Sequence, residues 1–290
     1  MIAEGPPVSD SPPSSNNLSM TDQYYVIGNP IEHSRSPEIH RQFAQQTQQQ
    51  MYYGKFLAPI GGFKPSLKAL IDEGIRGANV TVPFKEDAFL CCNHMTHRAE
   101  RARAINTLIM GDDGKCFGDN TDGIGLLTDL TQNYGLDISH QRVLILGAGG
   151  AVRGILEPLL DHKPDHVVIA NRTPGRARSL ARDFSDLGET SGCGFSDLEG
   201  KQFDLIINGT SAGLSGEVPP IPTTVLHKNS TTYDLMYGRE PTEFAQWSRR
   251  AGAAHSLDGL GMLVEQAAEA FYLWRAKRPD SRAVIKSLRS

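Results

Sequence analysis

The 290-residue sequence has no apolar run that approaches the roughly 20 residues of a membrane-spanning helix. Its amino terminus lacks both the basic segment and the apolar segment of a secretory signal. Clusters of Lys and Arg interleaved with aromatic residues are also lacking, and the formal net charge is only −4. These absences argue against membrane proteins, exported proteins and nucleic-acid-binding proteins. We therefore expect a cytoplasmic protein whose partner is a small molecule.

Cysteine is scarce, and its spacing favours neither a metal site nor a disulfide framework. The four cysteines show no CxxC pattern, and the adjacent Cys91 and Cys92 are poorly placed for an ordinary disulfide with each other. We expect reduced structural thiols, as is usual in the cytosol, and no metal.

The first 20 residues contain too little apolar surface to offset the entropy of ordering them. Four prolines, Pro6, Pro7, Pro12 and Pro13, lie there among Ser and Asn. The composition predicts a disordered tail over residues 1–20. Met20 is a candidate natural start, because the first convincing strand begins only four residues later at Tyr24.

The remaining chain is long and apolar enough for about two domains, with a hydrophobic content of 39%. Strand and helix signals alternate along it, which predicts an α/β fold. In residues 21–122 we expect strands at 24–28, 52–59, 77–83, 105–110 and 115–119, and helices at 37–46, at 65–73 and from 84 onward. A further helix is expected over 123–135, ending at Gly135.

Residues 123–258 have the pattern of a doubly wound parallel sheet. We expect strands at 142–147, 166–172, 203–209 and 230–237, and helices over about 150–160 and 244–252. The segment 259–290 differs, because a helix over 261–277 carries an apolar stripe that the first domain needs to complete its core. The stripe consists of Leu263, Ala267, Ala270, Phe271 and Trp274.

A glycine loop follows the apolar strand RVLILG. GAGGAV supplies the first two glycines of the GxGxxG pattern, Gly147 and Gly149, and places Val152 where the third is usual. Backbone N–H groups at the start of the following helix suit a pyrophosphate, although a simple tight turn is the alternative. The context favours a Rossmann-type dinucleotide-binding domain over residues 123–258.

The end of the next strand bears on which dinucleotide binds. An NAD-binding unit carries Asp or Glu there, whereas this chain has Asn171, Arg172 and Thr173, with Arg176 nearby. Two guanidinium groups can hold the 2′-phosphate of NADP, and exposed arginines without function are the alternative.

Two strings in the first domain indicate proton chemistry. NVTVPFK places Lys85 just past the end of a strand, and GDNTDG contains Asp122. A carbonyl that is reduced to an alkoxide needs a proton donor at its oxygen, and a lysine positioned by an acid can be that donor. The alternative is a surface salt bridge.

Further polar residues of the first domain fit a ligand site. Ser34 and Ser36 precede or begin a helix, so they either cap it or bind a small polar acid. Asn79 and Thr81 alternate with valines and therefore share one strand face. His33 and His40 are expected to be structural, because Lys85 already supplies the proton.

These motifs together resemble the shikimate dehydrogenase family from Tyr24 to the carboxyl-terminal helix. GNPIEHSRSP, NVTVPFK, INTL, GDNTDG, GAGGA, NRT and DGLGMLVEQ occur in the order of that family. The resemblance implies an N-terminal substrate domain, a Rossmann-type NADP domain, and NADPH-dependent reduction of 3-dehydroshikimate to shikimate in aromatic amino acid biosynthesis. We expect a monomer or a homodimer.

The resemblance also implies roles for individual residues. Lys85 and Asp122 form the implied catalytic pair. The implied substrate-binding residues are Ser34, Ser36, Thr81, Lys85, Asn106, Asp122, Tyr237 and Gln266. The implied cofactor-binding residues are Gly147, Ala148, Gly149, Gly150, Ala151, Asn171, Arg172, Thr173, Arg176, Leu235 and Gly259. YDLMY departs from the YDMFY type of string, so the role of Leu235 is the least secure.

Three other functions remain open on the sequence. A quinate/shikimate dehydrogenase that uses NAD is the nearest, and the Asn-Arg-Thr string argues against it. A folate-linked dehydrogenase does not explain the paired serines and GDNTDG. A non-catalytic NADP-binding regulator conflicts with the intact Lys85 and Asp122.

Overall fold

A computed structural model of the protein describes residues 21–111, 113–210 and 212–290. The expected disordered tail and the candidate start at Met20 lie outside the described residues. Within them, no helix combines the length and the apolar character that crossing a membrane requires.

The first part of the chain forms a mixed six-stranded sheet with strand order β2-β1-β3-β5-β6-β4. Its strands are β1 (Asp22–Gly28), β2 (Met51–Leu57), β3 (Gly77–Val80), β4 (His94–Met95), β5 (Thr107–Met110) and β6 (Cys116–Asp119). Its helices are α1 (Ser36–Thr47), α2 (Phe63–Asp72), α3 (Lys85–Cys91) and α4 (His97–Ala102). β1 pairs in parallel with β2 and β3 because helices connect them, whereas β5 and β6 form an antiparallel hairpin.

The second sheet is entirely parallel, with strand order β12-β11-β10-β7-β8-β9. Its strands are β7 (Arg142–Leu146), β8 (His166–Ala170), β9 (Thr190–Cys193), β10 (Leu205–Asn208), β11 (Thr231–Asp234) and β12 (His255–Asp258). Its helices are α6 (Gly150–Asp161), α7 (Pro174–Asp183) and α8 (Glu243–Arg250). The order reverses between β7 and β10, and this switch point is where doubly wound sheets bind ligands. The doubly wound prediction is confirmed.

Helix α5 (Asp122–Thr128) connects the two sheets and continues as a π-helical turn, Asp129–Asn133. The chain then turns at Gly135, whose φ is +68°, so the predicted helix end is confirmed. Glycines allow α5 to lie against two other helices. A Cβ at Gly123 would stand 2.7 Å from the carbonyl oxygen of Gly154 in α6.

Helix α9 (Leu260–Arg275) returns to the first sheet, as the apolar stripe predicts. Its Phe271 packs in one cluster with Phe43 of α1, and its Trp274 donates from Nε1 to the carbonyl oxygen of Leu108 in β5 at 3.0 Å. The prediction of one helix over 261–277 is incomplete, because a further helix, α10 (Ser281–Arg289), follows.

The predicted strand at 77–83 is too long, because β3 ends at Val80. Asn79 and Thr81 consequently have different surroundings. Asn79 is buried among polar partners of the sheet, whereas the backbone N–H of Thr81 donates to Ile27 and its methyl group lies beside Gly28.

Candidate active site

Lys85 and Asp122 are each the first residue of a helix. The helix of Lys85 follows the carboxyl end of β3, and the helix of Asp122 follows the carboxyl end of β6. Lys85 Nζ lies 2.5 Å from Asp122 Oδ2, and the two side chains are only 16% and 6% exposed. The pair is therefore largely shielded from water, unlike the exposed salt bridge that was the alternative. Partial burial strengthens the attraction between such charges.

Asn106 holds the carboxylate of Asp122 from the other side. Its Nδ2 donates to Asp122 Oδ1 at 2.8 Å, and its Oδ1 accepts from the backbone N–H of Thr121 at 2.9 Å. Asn106 lies directly before β5, whereas Thr121 directly precedes α5. These bonds orient the carboxylate so that its second oxygen faces Lys85.

Gln266 joins this group from α9. Its Oε1 lies 3.3 Å from Asn106 Nδ2, and its Nε2 donates to the carbonyl oxygen of Leu263 at 2.7 Å. A Cβ at Gly125 would lie 2.8 Å from the backbone nitrogen of Gln266, so the glycine in α5 permits this approach.

Ser34 and Ser36 lie together at the start of α1, with their hydroxyl oxygens 3.3 Å apart. Arg35 occupies the N-cap position, and its side chain makes no capping hydrogen bond. Tyr237, from the loop after β11, packs against the apolar cluster that contains Phe43 of α1. Burial raises the pKa of Tyr237, and the charge of Arg35 opposes that rise. A residue that follows the second sheet therefore reaches the helix that Ser36 begins.

A chain of buried hydrogen bonds connects the first sheet to Asn106. Tyr53 Oη donates to Asn79 Oδ1 at 2.7 Å, Asn79 Nδ2 donates to Thr107 Oγ1 at 3.2 Å, and Thr107 Oγ1 donates to Asn106 Oδ1 at 2.9 Å. Sequence reasoning missed Tyr53 and Thr107, because strand order decides which strands are neighbours.

The glycine loop is closely packed at its first glycine and open at Gly149. Gly147 has φ +108°, and a Cβ there would lie 2.8 Å from the carbonyl oxygen of Gly209. Gly149 is the N-cap of α6, and a Cβ there would meet nothing within 4 Å, so its backbone is open to a ligand. Val152, in the third glycine position, is fully buried.

The glycine loop lies next to the lysine. A Cβ at Gly150 would be 3.9 Å from Lys85 Cβ and 3.9 Å from Ala104 Cβ. Ala148 and Ala151 are half-buried on either side of this contact. The loop of the second sheet and the Lys85–Asp122 pair of the first therefore share one site.

The string Asn171–Arg176 follows β8 and leads into α7. Asn171 Nδ2 donates to the carbonyl oxygen of Thr173 at 3.1 Å, and Thr173 is the N-cap of α7. Arg172 and Arg176 are exposed. A cavity of about 550 Å³ extends from Ala148 of the glycine loop to Arg176. Guanidinium groups beside such a cavity suit a phosphate ester.

Leu235 and Gly259 meet at the carboxyl ends of β11 and β12. A Cβ at Gly259 would lie 2.3 Å from the carbonyl oxygen of Leu235, so the two backbones touch. A Cβ at Gly209, the residue that contacts Gly147 of the glycine loop, would lie 3.2 Å from Leu235 Cδ1. Both residues therefore lie on the switch-point side of the sheet.

The two histidines lie in different surroundings. His33 is exposed, whereas His40 is fully buried and stacks on Tyr53 with ring centroids 4.1 Å apart. Burial lowers the pKa of His40 to about 3, against a smaller opposing effect of Asn79. The described residues contain no cluster of three or more His, Cys, Asp or Glu side chains that could hold a metal ion.

Family comparisons match successive parts of the chain. The models are described as the shikimate dehydrogenase substrate binding domain (residues 26–108), shikimate / quinate 5-dehydrogenase (residues 129–215) and the shikimate 5′-dehydrogenase C-terminal domain (residues 259–289).

Individual relatives agree with these models. A shikimate dehydrogenase (NADP(+)) from Alkalilimnicola ehrlichii is 54% identical over 270 residues, which cover 93% of this chain and 99% of that protein. The crystal structure of an Ael1 enzyme from Pseudomonas putida has a TM-score of 0.85 and 44% identity, covering 92% of this chain and 98% of that one. A shikimate 5-dehydrogenase from Thermus thermophilus, solved with NADP(H) and shikimate, has a TM-score of 0.82 and 29% identity, covering 93% and 99%. The chain belongs to the shikimate dehydrogenase family.

Proposed function

We propose that this protein catalyses the reversible, NADPH-dependent reduction of 3-dehydroshikimate to shikimate, a step of aromatic amino acid biosynthesis. The observation that carries the proposal is the 2.5 Å contact between Lys85 Nζ and Asp122 Oδ2, made by a lysine whose Cβ lies beside Gly150 of the glycine loop. A proton donor for the carbonyl oxygen thus belongs to the same site as the loop that would hold the pyrophosphate of the cofactor. The name of the relative from Alkalilimnicola ehrlichii supports both substrate and cofactor.

The residues present fit NADP. The open backbone at Gly149 and the start of α6 suit the pyrophosphate, so Gly147, Ala148, Gly149, Gly150 and Ala151 would hold it. Asn171, Arg172, Thr173 and Arg176 would hold the ribose 2′-phosphate. Leu235 and Gly259 would border the nicotinamide. NADPH, when bound, supplies the hydride.

Lys85 and Asp122 would transfer the proton to the carbonyl oxygen of the substrate. The Lys85 ammonium donates to the substrate oxygen as negative charge develops on it, and Asp122 holds the ammonium in place. Asn106 keeps the Asp122 carboxylate oriented through its 2.8 Å hydrogen bond. In the direction of oxidation Lys85 accepts the proton instead.

The remaining polar residues would bind the substrate's carboxylate and hydroxyl groups. Ser34 and Ser36 lie at the start of α1, and Tyr237 packs against the apolar cluster to which α1 belongs. Asn106 and Gln266 lie beside Asp122. Thr81, which follows β3, lies on the chain segment that leads to Lys85. Neutral hydroxyl and amide groups suit a polyhydroxylated acid, because they both donate and accept hydrogen bonds.

Absorbance of the reduced nicotinamide tests the proposal. Purified protein is mixed at alkaline pH with shikimate or quinate, each with NADP or NAD. Rapid turnover of shikimate with NADP is the expected result. Comparable turnover of quinate with NAD would indicate a quinate/shikimate dehydrogenase of broader specificity instead. No absorbance change in any of the four mixtures would favour a non-catalytic regulator. Turnover of a folate in a fifth mixture would indicate the folate-linked class.

We further propose a substrate-binding catalytic domain over residues 21–122, an NADP domain over 123–258 and a carboxyl-terminal segment over 259–290. A cytoplasmic location and a monomeric or homodimeric state complete the proposal. Light scattering during gel filtration distinguishes these two states.

A further inference from the structure

Two cysteines of the first domain lie in contact although they are 24 positions apart. Cys92 Sγ and Cys116 Sγ are 3.4 Å apart, and both thiols are free. Cys92 follows the end of α3 in an extended conformation, with φ −94° and ψ 133°, and Cys116 begins β6. The sequence concealed this pair, since only Cys91 and Cys92 are adjacent along the chain.

The two thiols differ in exposure and in acidity. Cys92 is 6% exposed and belongs to the apolar core of the first sheet, whereas Cys116 is half-buried at its margin. The hydrogen bond from Cys92 lowers the pKa of Cys116, and the same bond, together with burial, raises the pKa of Cys92. The more accessible sulfur therefore also ionises more readily to the reactive thiolate.

The other two cysteines lack this arrangement. Cys91 is half-buried, and burial raises its pKa. Cys193 ends β9 in the second sheet. Only the Cys92–Cys116 pair has a sulfur–sulfur contact among the described residues.

We propose that Cys92 and Cys116 are an oxidation site, which a peroxide converts into a reversible intramolecular disulfide. The Cys116 thiolate attacks one oxygen of hydrogen peroxide, so that a sulfur–oxygen bond forms, the oxygen–oxygen bond breaks and one water leaves after protonation. The Cys92 sulfur then attacks the sulfenic sulfur, forming the disulfide and releasing a second water as the thiol gives up its proton. Two thiols are oxidised by two electrons, and one peroxide is reduced to two waters.

The step requires little movement. The sulfurs must approach from 3.4 Å to the roughly 2.05 Å of a disulfide bond. Cys92 follows a helix end, where the backbone can adjust. Lys85 stands at the other end of α3, about 10 Å away along the helix axis, so we expect oxidation to change turnover by less than about twofold.

Mass spectrometry of the full chain tests the proposal. The reduced protein is treated with a small excess of hydrogen peroxide, and residual thiols are counted by a colorimetric titration. The expected product has lost two hydrogens, retains two of its four thiols, and yields a peptide linked through Cys92 and Cys116. Dithiothreitol restores all four thiols. Stable sulfinic acid, a link through Cys91, a covalent dimer or four unreacted thiols would each overturn the proposal.

Two variants provide matched controls. Cys116→Ser abolishes the intramolecular link, whereas Cys91→Ser leaves it intact. The wild-type peptide map decides the question even if a variant folds poorly. The melting temperature supplies a second measurement. A cross-link between Cys92 and Cys116 closes a loop and restricts the unfolded chain, so the melting temperature should rise by about 3 °C or more. An unchanged melting temperature in a protein shown to carry the link would contradict that loop-closure effect.

Discussion

The amine of Lys85 pairs with Asp122, and the Cβ of Lys85 lies beside Gly150 of the glycine loop. Substitution of Lys85 by Ala removes the proton donor but leaves Asn106 and the serines in place. We expect turnover to fall by about 1,000-fold or more, whereas shikimate affinity changes by less than about tenfold. Steady-state rates and equilibrium binding measure the two effects.

The matched control for this variant is Lys115→Ala. Lys115 is exposed and pairs with Asp113 in the hairpin between β5 and β6. This variant should retain wild-type turnover. Near-normal turnover of Lys85→Ala would remove Lys85 from the mechanism.

Arg176 should determine the preference for NADP over NAD, because it lines the cavity that begins at Ala148. The Arg176→Ala variant loses a charge-assisted hydrogen bond to the 2′-phosphate, so we expect KM for NADPH to rise by about tenfold or more while KM for NADH changes little. Arg178→Ala, on an exposed position of the same helix, is the control. Equal increases in both KM values would argue for a merely structural role.

His40 makes the stability of the fold depend on pH. Its pKa is about 3 in the folded protein and 6.5 in a model peptide. Below pH 6.5, His40 is therefore protonated in the unfolded chain while it stays neutral in the folded protein. Stability from this residue is complete well above pH 6.5, and below pH 6.5 its loss approaches about 1.4 kcal/mol per pH unit.

Urea unfolding at pH 6.5 and pH 5 measures this effect, and His40→Phe removes it while keeping an aromatic ring beside Tyr53. The wild-type protein should lose about 2 kcal/mol more than the variant over this interval. Asp129 and Asp234, whose pKa values burial raises, contribute equally to both proteins. Identical losses would show that His40 is protonated in the folded state.

Helix α5 depends on glycine where it meets α9. A Cβ at Gly125 would lie 2.8 Å from the carbonyl oxygen of Met262 and 2.7 Å from Gln266 Cβ. Gly125→Ala should therefore destabilise the protein by about 1–3 kcal/mol and raise KM for shikimate by displacing Gln266. Chemical denaturation and steady-state kinetics test both effects.

Gly175→Ala is the control for this substitution. Gly175 lies in the first turn of α7, and a Cβ there would meet nothing within 4 Å. We expect a change in stability of about 0.5 kcal/mol at most. Equal stability of the two variants would show that the α5–α9 contact can accommodate a methyl group at position 125, contrary to this prediction.

The elements that sequence reasoning found are those with an apolar pattern of their own. Residues 143–146 of β7 are fully buried and form an uninterrupted apolar run, so this strand was evident. The edge strands β9 (TSGC) and β12 (HSLD) have few apolar residues, because they are only partly covered. Helix α7 is mostly polar, and α4 and α10 are short. Such elements are stabilised by neighbours that the sequence does not identify.

The same distinction applies to the site. Motifs of adjacent residues pointed to Lys85, Asp122 and the glycine loop. Tyr53 and Thr107 take part in the hydrogen bonds that lead to Asn106, yet nothing in their local sequence distinguishes them. Their roles depend on β1 lying between β2 and β3, and on β5 pairing with β3.

At the scale of the whole molecule, the chain passes between the two sheets twice, through α5 and again through α9. One of the two tryptophans packs on each sheet from a helix. Trp247 of α8 packs against the core of the second sheet, and the ring centroid of Trp274 of α9 lies 4.7 Å from that of Tyr24 in the first. Because α9 contacts both α1 and α5, we expect the two parts to unfold together.

The variants Trp247→Phe and Trp274→Phe leave one fluorophore in each part. In each variant, the fluorescence midpoint in urea should coincide with the midpoint from far-ultraviolet circular dichroism. Separate midpoints would show that one sheet survives the loss of the other.

The close packing of α5 against α6 and α9 at its glycines also limits how this enzyme can be re-engineered. Gly123 and Gly125 leave no space for larger side chains between α6 and α9, and Asp122 begins the same helix. A combinatorial library that randomises α5 would therefore yield mostly damaged folds. Ser34 instead precedes α1, and Tyr237 lies in the loop after β11, so neither is inside a helix that is packed between two others. Directed evolution toward other hydroxy acids should begin at those two positions.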